Sequence, residues 1–217
     1  MDYTRARHNM VESQLRTNKV TEPRLLEAFE TVPRELFVPE ELSGIAYVDE
    51  DIAVAAGRYL LEPMVLGRLI QAADIGAEDI VLEIGCATGY ASAILARLAA
   101  TVVALESDRR LAERANATLE HLAIDNVAVV EGELTAGYAK QAPYNAILIG
   151  AAVAEVPQAI YDQLAEGGRL VAVIKQPQEP GRASLMRRSG ASVSRRVLFD
   201  AGTPMLPGFV REPGFVF

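Results

Sequence analysis

The first third of the chain has apolar residues at helical spacing, interrupted by prolines. The segment from Val38 to Glu62 has no convincing period and is predicted to form a loop or a short strand. Thr21 is the predicted N-cap of the second helix, since Pro23 suits the first helical turn. The predicted helices span residues 3–16, 22–31 and 63–73.

From residue 80 onward, short apolar runs alternate with helical patterns. Near-continuous apolar strands between helices are typical of a parallel sheet covered on both faces, which indicates a doubly wound α/β fold. A hairpin around Ser189-Gly190 is predicted over residues 182–200. The other predicted strands are 80–84, 101–106, 127–132, 145–150 and 169–175, and the predicted helices are 89–99, 108–123 and 156–168.

Length and composition favour one domain over residues 1–217, with an N-terminal helical cap and substrate-site segment at 1–76 and the sheet at 77–217. The single cysteine, Cys86, excludes an internal disulfide and is compatible with a cytoplasmic location. The first twenty residues lack the apolar core of a signal peptide, and no apolar run suggests a membrane span. The net charge of −8 argues against nucleic-acid binding through phosphates.

The candidate chemistry begins in "VLEIGCATGYASAIL", residues 81–95, which has the outline of a strand, a tight turn and a helix. In an open α/β sheet, ligands bind beyond the carboxyl ends of the strands. Gly85 and Gly89 would let the backbone approach a ligand closely, while Ala87 stands where glycine is common. Such a turn is weak evidence by itself, because helix packing explains many of them.

Acidic residues strengthen the case for a cofactor. Glu83 lies in the first strand of the predicted sheet, Glu106 ends the second, and Glu133 follows the third. An acid at the end of the second strand can accept hydrogen bonds from ribose hydroxyls. Three acids around one pocket would repel a pyrophosphate and suit a cofactor with positive charge. S-adenosyl-L-methionine therefore fits better than NAD.

Several segments give the chain a resemblance to the protein-L-isoaspartate O-methyltransferases, a family of class I S-adenosylmethionine enzymes. The similar segments are "MVESQLR", "VPRELFVPEEL", "AYVDEDIAV", "VLEIGCATGY", "APYNAILIGAA" and "IYDQLAEGGRLV". The resemblance implies a Rossmann-like, mostly parallel seven-stranded sheet and a protein or peptide substrate methylated on a carboxylate. It implies cofactor contacts at the turn, with Glu106 on the ribose and Glu133 on the adenine amine. The implied cofactor-binding residues are Glu83, Gly85, Ala87, Gly89, Glu106 and Glu133.

The chain departs from this family where the acceptor would bind. The family has approximately Gly-x-Thr-Ile-Ser-x-Pro before the first core helix, and its hydroxyls line the methyl-acceptor site. Here the segment is "GRYLLEP", with Tyr59 at the threonine position and Leu61 at the serine position. A leucine side chain can neither donate nor accept a hydrogen bond. The C-terminal Phe-Val-Pro-Leu signature is also absent, and "LFDAGTPMLPGF" stands in its place.

Three hypotheses follow: an isoaspartyl carboxyl methyltransferase, a methyltransferase with another and more apolar acceptor, and a cofactor-binding protein without catalysis. A carboxylate acceptor is ionised at neutral pH, so the reaction needs no histidine, and His8 and His121 are expected at the surface. Cys86 is expected to fill the turn rather than act in redox chemistry. The arginines of the hairpin and Lys175 suggest a solvated edge, with an acidic partner as the alternative.

Overall fold

The chain folds into a single large sheet with helices on both faces. The computed structural model describes residues 1–209. The helices are α1 Tyr3–Met10, α2 Pro23–Thr31, α3 Pro63–Ala73, α4 Tyr90–Ala96, α5 Arg109–His121 and α6 Gln158–Tyr161. The strands are β1 Ile52–Ala55, β2 Arg58–Leu60, β3 Ile80–Ile84, β4 Thr101–Glu106, β5 Val127–Glu131, β6 Tyr144–Val153, β7 Leu164–Ile174, β8 Arg182–Ser189 and β9 Ser192–Asp200.

The large sheet has seven strands in the order β5-β4-β3-β6-β7-β8-β9. The pairs from β5 to β7 are parallel, and β8 and β9 are antiparallel. The prediction of a mostly parallel seven-stranded sheet with an N-terminal helical cap is therefore confirmed. Successive strands run outward in one direction from β3 and in the other from β6. The carboxyl ends of β3 and β6 thus flank the point where an open α/β sheet binds ligands.

Both faces of the central strands β3, β4 and β6 are buried, which explains why these strands are almost continuously apolar. Val81 of β3 packs into a cluster that includes side chains of the N-terminal helices, α3 and α4. Leu82, the next residue, faces the opposite cluster, which includes Ile160 of α6 and Leu206 from the C-terminal segment. The N-terminal helices therefore cover one face, and the C-terminal segment helps to cover the other.

The N-terminal helices differ from the sequence prediction in two details. A π-helical turn and a 3-10 turn extend the first helical segment to Asn18. The N-cap of α2 is Glu22, and the prediction of Thr21 is wrong. Glu22 directly precedes Pro23, and its carboxylate accepts a hydrogen bond from the Leu25 backbone at 2.5 Å.

The predicted helix over residues 156–168 is also wrong, since only α6 is helical there. Leu164 already belongs to β7, where it pairs with Tyr144 of β6. The Tyr144 N–H donates to the Gln163 carbonyl at 2.8 Å. This backbone is therefore hydrogen-bonded to β6 and does not continue the helix. Helix α4 likewise ends at Ala96, three residues before the predicted end.

The segment from Val38 to Glu62, which has no hydrophobic periodicity, contains a small antiparallel hairpin. Strands β1 and β2 pair with Ile52 opposite Leu60 and Ala53 opposite Tyr59. Between them, Gly57 turns the chain with a φ of 67°. This hairpin places "GRYLLEP" against the large sheet.

Among the helices of residues 1–209, none combines the length and the apolar character needed to cross a membrane.

Candidate functional site

The turn after β3 brings the backbone of three residues into left-handed conformations. Gly85, Ala87 and Gly89 have φ angles of 78°, 50° and 91°. The N–H groups of Gly85 and Cys86 both donate to the Leu105 carbonyl of β4, at 2.8 and 3.1 Å. This pairing fixes the turn beside the end of β4. Ala87 adopts a conformation that costs a non-glycine residue roughly 1–2 kcal/mol.

The carboxylate of Glu106 lies beside the turn and is completely buried. It accepts hydrogen bonds from the backbone N–H groups of Ala87, Ser107 and Asp108, at 2.9, 2.7 and 3.0 Å. The structure therefore brings Glu106 and the glycine turn together, as their positions at neighbouring strand ends predicted.

Arg58 completes the environment of Glu106. Its Nε and Nη2 lie 3.1 and 3.0 Å from Oε1, and its Nη2 also donates to the Ser107 hydroxyl at 2.9 Å. The Arg58 side chain is only 7% exposed. The sequence did not predict this pair, and the available signal was an arginine directly after the glycine of "GRYLLEP".

Glu83 is the second buried acid, 2% exposed. The Ser92 hydroxyl of α4 hydrogen-bonds to its carboxyl group. Burial raises the pKa of Glu83 to about 7, and the charge of Glu106 raises it further, while the Ser92 hydrogen bond opposes the shift. Glu83 is therefore poised to hold a proton near neutral pH. Ser92 was not among the predicted site residues.

Glu133 has a different environment from the other two acids. It follows β5, is exposed, and accepts a hydrogen bond from the Thr135 hydroxyl at 2.6 Å. Of the three acids, only Glu83 lines the cavity between the turn and the hairpin, so the cavity includes neither Glu133 nor Glu106. Its predicted contact with an adenine stays a prediction.

A small cavity separates the glycine turn from the hairpin β1–β2. Its accessible volume is about 20 Å³, which is room for about one water molecule, whereas small-molecule pockets usually measure about 300–1,000 Å³. One wall is the turn with Glu83, and the other is the segment of the hairpin that departs from the family. The lining residues are Tyr59, Leu60, Leu61, Leu66, Glu83, Gly85, Cys86, Ala87, Tyr90, Ala91 and Gly150.

Tyr59 and Leu61 thus face the same cavity as the turn. Tyr59 is partly exposed, and Leu61 is 4% exposed. Arg34, fully buried, donates from Nη2 to the Leu61 carbonyl at 2.8 Å and stacks on the Tyr90 ring, 4.7 Å from its centroid. The backbone of the family's serine position is therefore held firmly, although its side chain carries no hydroxyl.

The C-terminal segment covers the site from the other side. A Cβ atom added to Gly85 would lie 3.0 Å from Leu206, and one added to Gly57 would lie 2.7 Å from Pro207. The Leu206 N–H donates to the Ala152 carbonyl of β6 at 2.7 Å. The segment that replaces the family's C-terminal signature therefore packs directly on the turn.

The remaining predicted features lie outside this cavity or play no acid–base part in it. His8 and His121 are exposed, as predicted. Burial raises the pKa of the Cys86 thiol well above its usual value, and the nearby acids raise it further. This favours a packing role for Cys86. The basic hairpin is mostly exposed, and Arg188 donates to the Leu164 carbonyl at 2.6 Å.

The sheet order and the buried acids at neighbouring strand ends define the class: a Rossmann-like methyltransferase fold. A family model described as protein-L-isoaspartate(D-aspartate) O-methyltransferase matches residues 5–200. The chain belongs to this family.

Individual relatives agree with that assignment. A protein-L-isoaspartate O-methyltransferase of Methanoculleus marisnigri is 39% identical over 186 residues, covering 86% of this chain and 84% of the relative. One from Koribacter versatilis is 40% identical over 194 residues, covering 89% and 87%.

Solved structures share the fold. A structure titled protein-L-isoaspartate O-methyltransferase superposes with a TM-score of 0.82 at 25% identity, covering 93% of this chain and 66% of that one. A putative family member from Plasmodium falciparum, solved in complex with S-adenosyl-L-homocysteine, superposes with a TM-score of 0.76 at 18% identity, covering 95% and 98%. The second likeness shows the fold alone.

Proposed function

We propose that this chain is an S-adenosyl-L-methionine-dependent methyltransferase that transfers a methyl group to the carboxylate of isoaspartyl residues in proteins or peptides. The observation that carries the proposal is the buried Glu106 carboxylate, held against the glycine turn by backbone N–H groups. Membership of the family supports the reaction and the cofactor. A cytoplasmic location is part of the proposal and rests on the single cysteine, a buried free thiol.

The residues present fit the chemistry of this cofactor. Glu83 and Glu106 supply buried carboxyl groups beside a turn whose backbone allows close approach. When bound, S-adenosyl-L-methionine supplies a methyl group already activated by its sulfonium. In this assignment Glu106 would hold the ribose hydroxyls, and Gly85, Ala87 and Gly89 would shape the wall beside the amino-acid end. Glu133 would approach the adenine.

The chain's own contribution would be orientation and exclusion of water rather than proton removal. An isoaspartyl carboxylate is ionised at neutral pH, so no general base is required. Tyr59 and Leu61 line the cavity between the turn and the hairpin, where an acceptor would meet the cofactor. Positioning of this kind contributes up to roughly 7–11 kcal/mol to lowering a barrier.

A second candidate function is methyl transfer to a more apolar acceptor by the same cofactor site. The observation that favours it is the buried, apolar Leu61 at the position where the family has a hydroxyl. Tyr59 and Leu60 extend that wall. A third, the binding of cofactor without catalysis, is favoured by the retained acids Glu83 and Glu106 beside the turn together with the missing hydroxyl at Leu61.

One paired experiment tests the proposal. S-adenosyl-L-methionine is titrated calorimetrically into the chain, and methyl transfer to an isoaspartyl peptide is then measured. Binding together with transfer is expected. Binding without transfer to the isoaspartyl peptide would favour the second or third candidate, and no binding would overturn all three.

A matched pair of variants tests the assigned role of Glu106. Glu106→Gln is expected to weaken cofactor affinity by about 10- to 100-fold, since it removes charge-assisted hydrogen bonds. Glu131→Gln is the control, because Glu131 is the exposed register partner of Glu106 on β5. Equal affinities in the two variants would show that the ribose binds elsewhere.

A further inference from the structure

The hydrogen-bonding capacity of the Glu106 carboxylate is already used within the chain. An ionised carboxylate offers about four acceptor positions on its two oxygens. Three are taken by the backbone N–H groups of Ala87, Ser107 and Asp108. The guanidinium of Arg58 takes what is left, with Nε 3.1 and 3.2 Å from Oε1 and Oε2 and Nη2 3.0 Å from Oε1. A ribose diol would therefore find no free acceptor on Glu106.

The contact between Arg58 and Glu106 joins the hairpin to the end of β4. Arg58 is the first residue of β2, directly after the Gly57 turn, and its guanidinium reaches across to the end of β4. The distance in sequence to Glu106 is 48 residues. The contact therefore ties the hairpin that carries the acceptor segment to the strand end that would hold the cofactor.

The C-terminal segment closes the same edge. Pro207 packs on Gly57, the turn that positions Arg58, and Leu206 packs on Gly85. The Leu206 N–H donates to the Ala152 carbonyl at 2.7 Å, and the Ala152 N–H donates to the Pro204 carbonyl at 2.9 Å, which holds this segment at the end of β6. The hairpin and the C-terminal segment support one another, and the cavity between the hairpin and the turn has a volume of about 20 Å³.

We propose that Arg58 is an internal latch on the cofactor site: its guanidinium occupies the ribose position on Glu106, and the cofactor binds only when Arg58 leaves. The proposal rests on the proposed function and adds its regulation. Only the fraction of molecules with the latch open is competent to bind, so the apparent affinity is lowered by that fraction.

A latch and a purely structural ion pair differ in a measurable way. Breaking a buried pair lowers the free energy of unfolding in either case. Only a latch also raises the affinity for the cofactor, because its removal frees the acceptors of Glu106. Stability and affinity therefore change in opposite directions if the proposal is correct.

The test uses Arg58→Met, which keeps most of the apolar volume and removes the guanidinium. The affinity for S-adenosyl-L-homocysteine is measured by calorimetry, alongside unfolding by denaturant. Arg58→Met is expected to bind at least about tenfold more tightly than the wild-type chain. Arg58→Lys keeps a charge without the planar fork, and it is expected to give a smaller increase; it serves if Arg58→Met does not fold.

Arg169→Met is the matched control. Arg169 of β7 pairs with Asp79 at 2.5 Å, and both side chains are 15% exposed. Asp79 directly precedes β3, so this pair lies at the end of β3 opposite the glycine turn. Its loss should lower stability and leave the affinity unchanged. Equal binding by the wild-type chain and the Arg58 variants would overturn the latch while leaving the proposed function intact. No binding by any of them would overturn the proposed function itself.

Discussion

The guanidinium of Arg34 holds the backbone carbonyl of Leu61 at 2.8 Å, although the two residues lie 27 positions apart. Arg34 also donates from Nε to the Ala46 carbonyl at 2.7 Å and is fully buried. Its partners are two carbonyl oxygens and an aromatic ring rather than a carboxylate. This cation thus fixes the position of the acceptor segment.

Arg34→Met should lower the free energy of unfolding by roughly 2–4 kcal/mol, because it removes two charge-assisted hydrogen bonds and leaves two buried carbonyls without donors. Denaturant unfolding monitored by circular dichroism measures the change. Arg16→Met is the control: Arg16 is half exposed and pairs with Glu12 one helical turn away, and its loss should cost less than about 0.5 kcal/mol. Equal losses in both variants would contradict the structural role of Arg34.

Leu61→Ser should raise methyl transfer to an isoaspartyl peptide, by up to about 100-fold in kcat/KM, because it restores a hydroxyl that can orient the acceptor carboxylate. Steady-state kinetics with the peptide measure the effect. Leu60→Ser is the matched control, since Leu60 is also 4% exposed and lines the same cavity. An equal effect of the two serines, or none from Leu61→Ser, would point to a different acceptor.

Glu83 should make the stability depend on pH. Its folded pKa of about 7 lies above the usual 4.5, so the folded chain binds more protons than the unfolded chain between these values. Its contribution to stability is fully present below pH 4.5 and is lost as the pH rises through 7. In the wild-type chain this titration should lower the free energy of unfolding by about 3 kcal/mol as the pH rises, and Glu83→Gln should abolish that decrease. Unfolding measured at pH 5 and pH 8 tests this, with the exposed Glu131→Gln as control; a wild-type pH profile in Glu83→Gln would refute it.

Gly85→Ala should be more destabilising than Gly167→Ala. Both glycines have positive φ, 78° and 71°, so each alanine costs roughly 1–2 kcal/mol of backbone strain. Only at position 85 would the new Cβ press on Leu206, at 3.0 Å; nothing lies within 4 Å at Gly167. A second substitution, Leu206→Ala, should recover part of the loss in Gly85→Ala, measured as a double-mutant cycle. Additive effects would show that the C-terminal segment does not pack on the turn.

The sequence by itself determined which segments form the parallel strands of the sheet. The apolar runs at β3, β4, β5, β6 and β7 are strong signals because both faces of a parallel sheet must be buried. The same alternation placed Glu83 and Glu106 near one another, since parallel strands end at a common edge. The family resemblance located the departures at Tyr59 and Leu61 within the hairpin.

The tertiary structure alone decided how residues far apart in sequence complete the site. A local pattern does not reveal that Arg58 reaches Glu106, that Arg34 reaches Leu61, or that Leu206 packs on Gly85. The local pattern also gave a wrong prediction at residues 164–168, where pairing with β6 replaces the predicted helix. These outcomes depend on partners that meet only when the chain has folded, because hydrogen bonds, burial and charge pairing act through space rather than along the sequence.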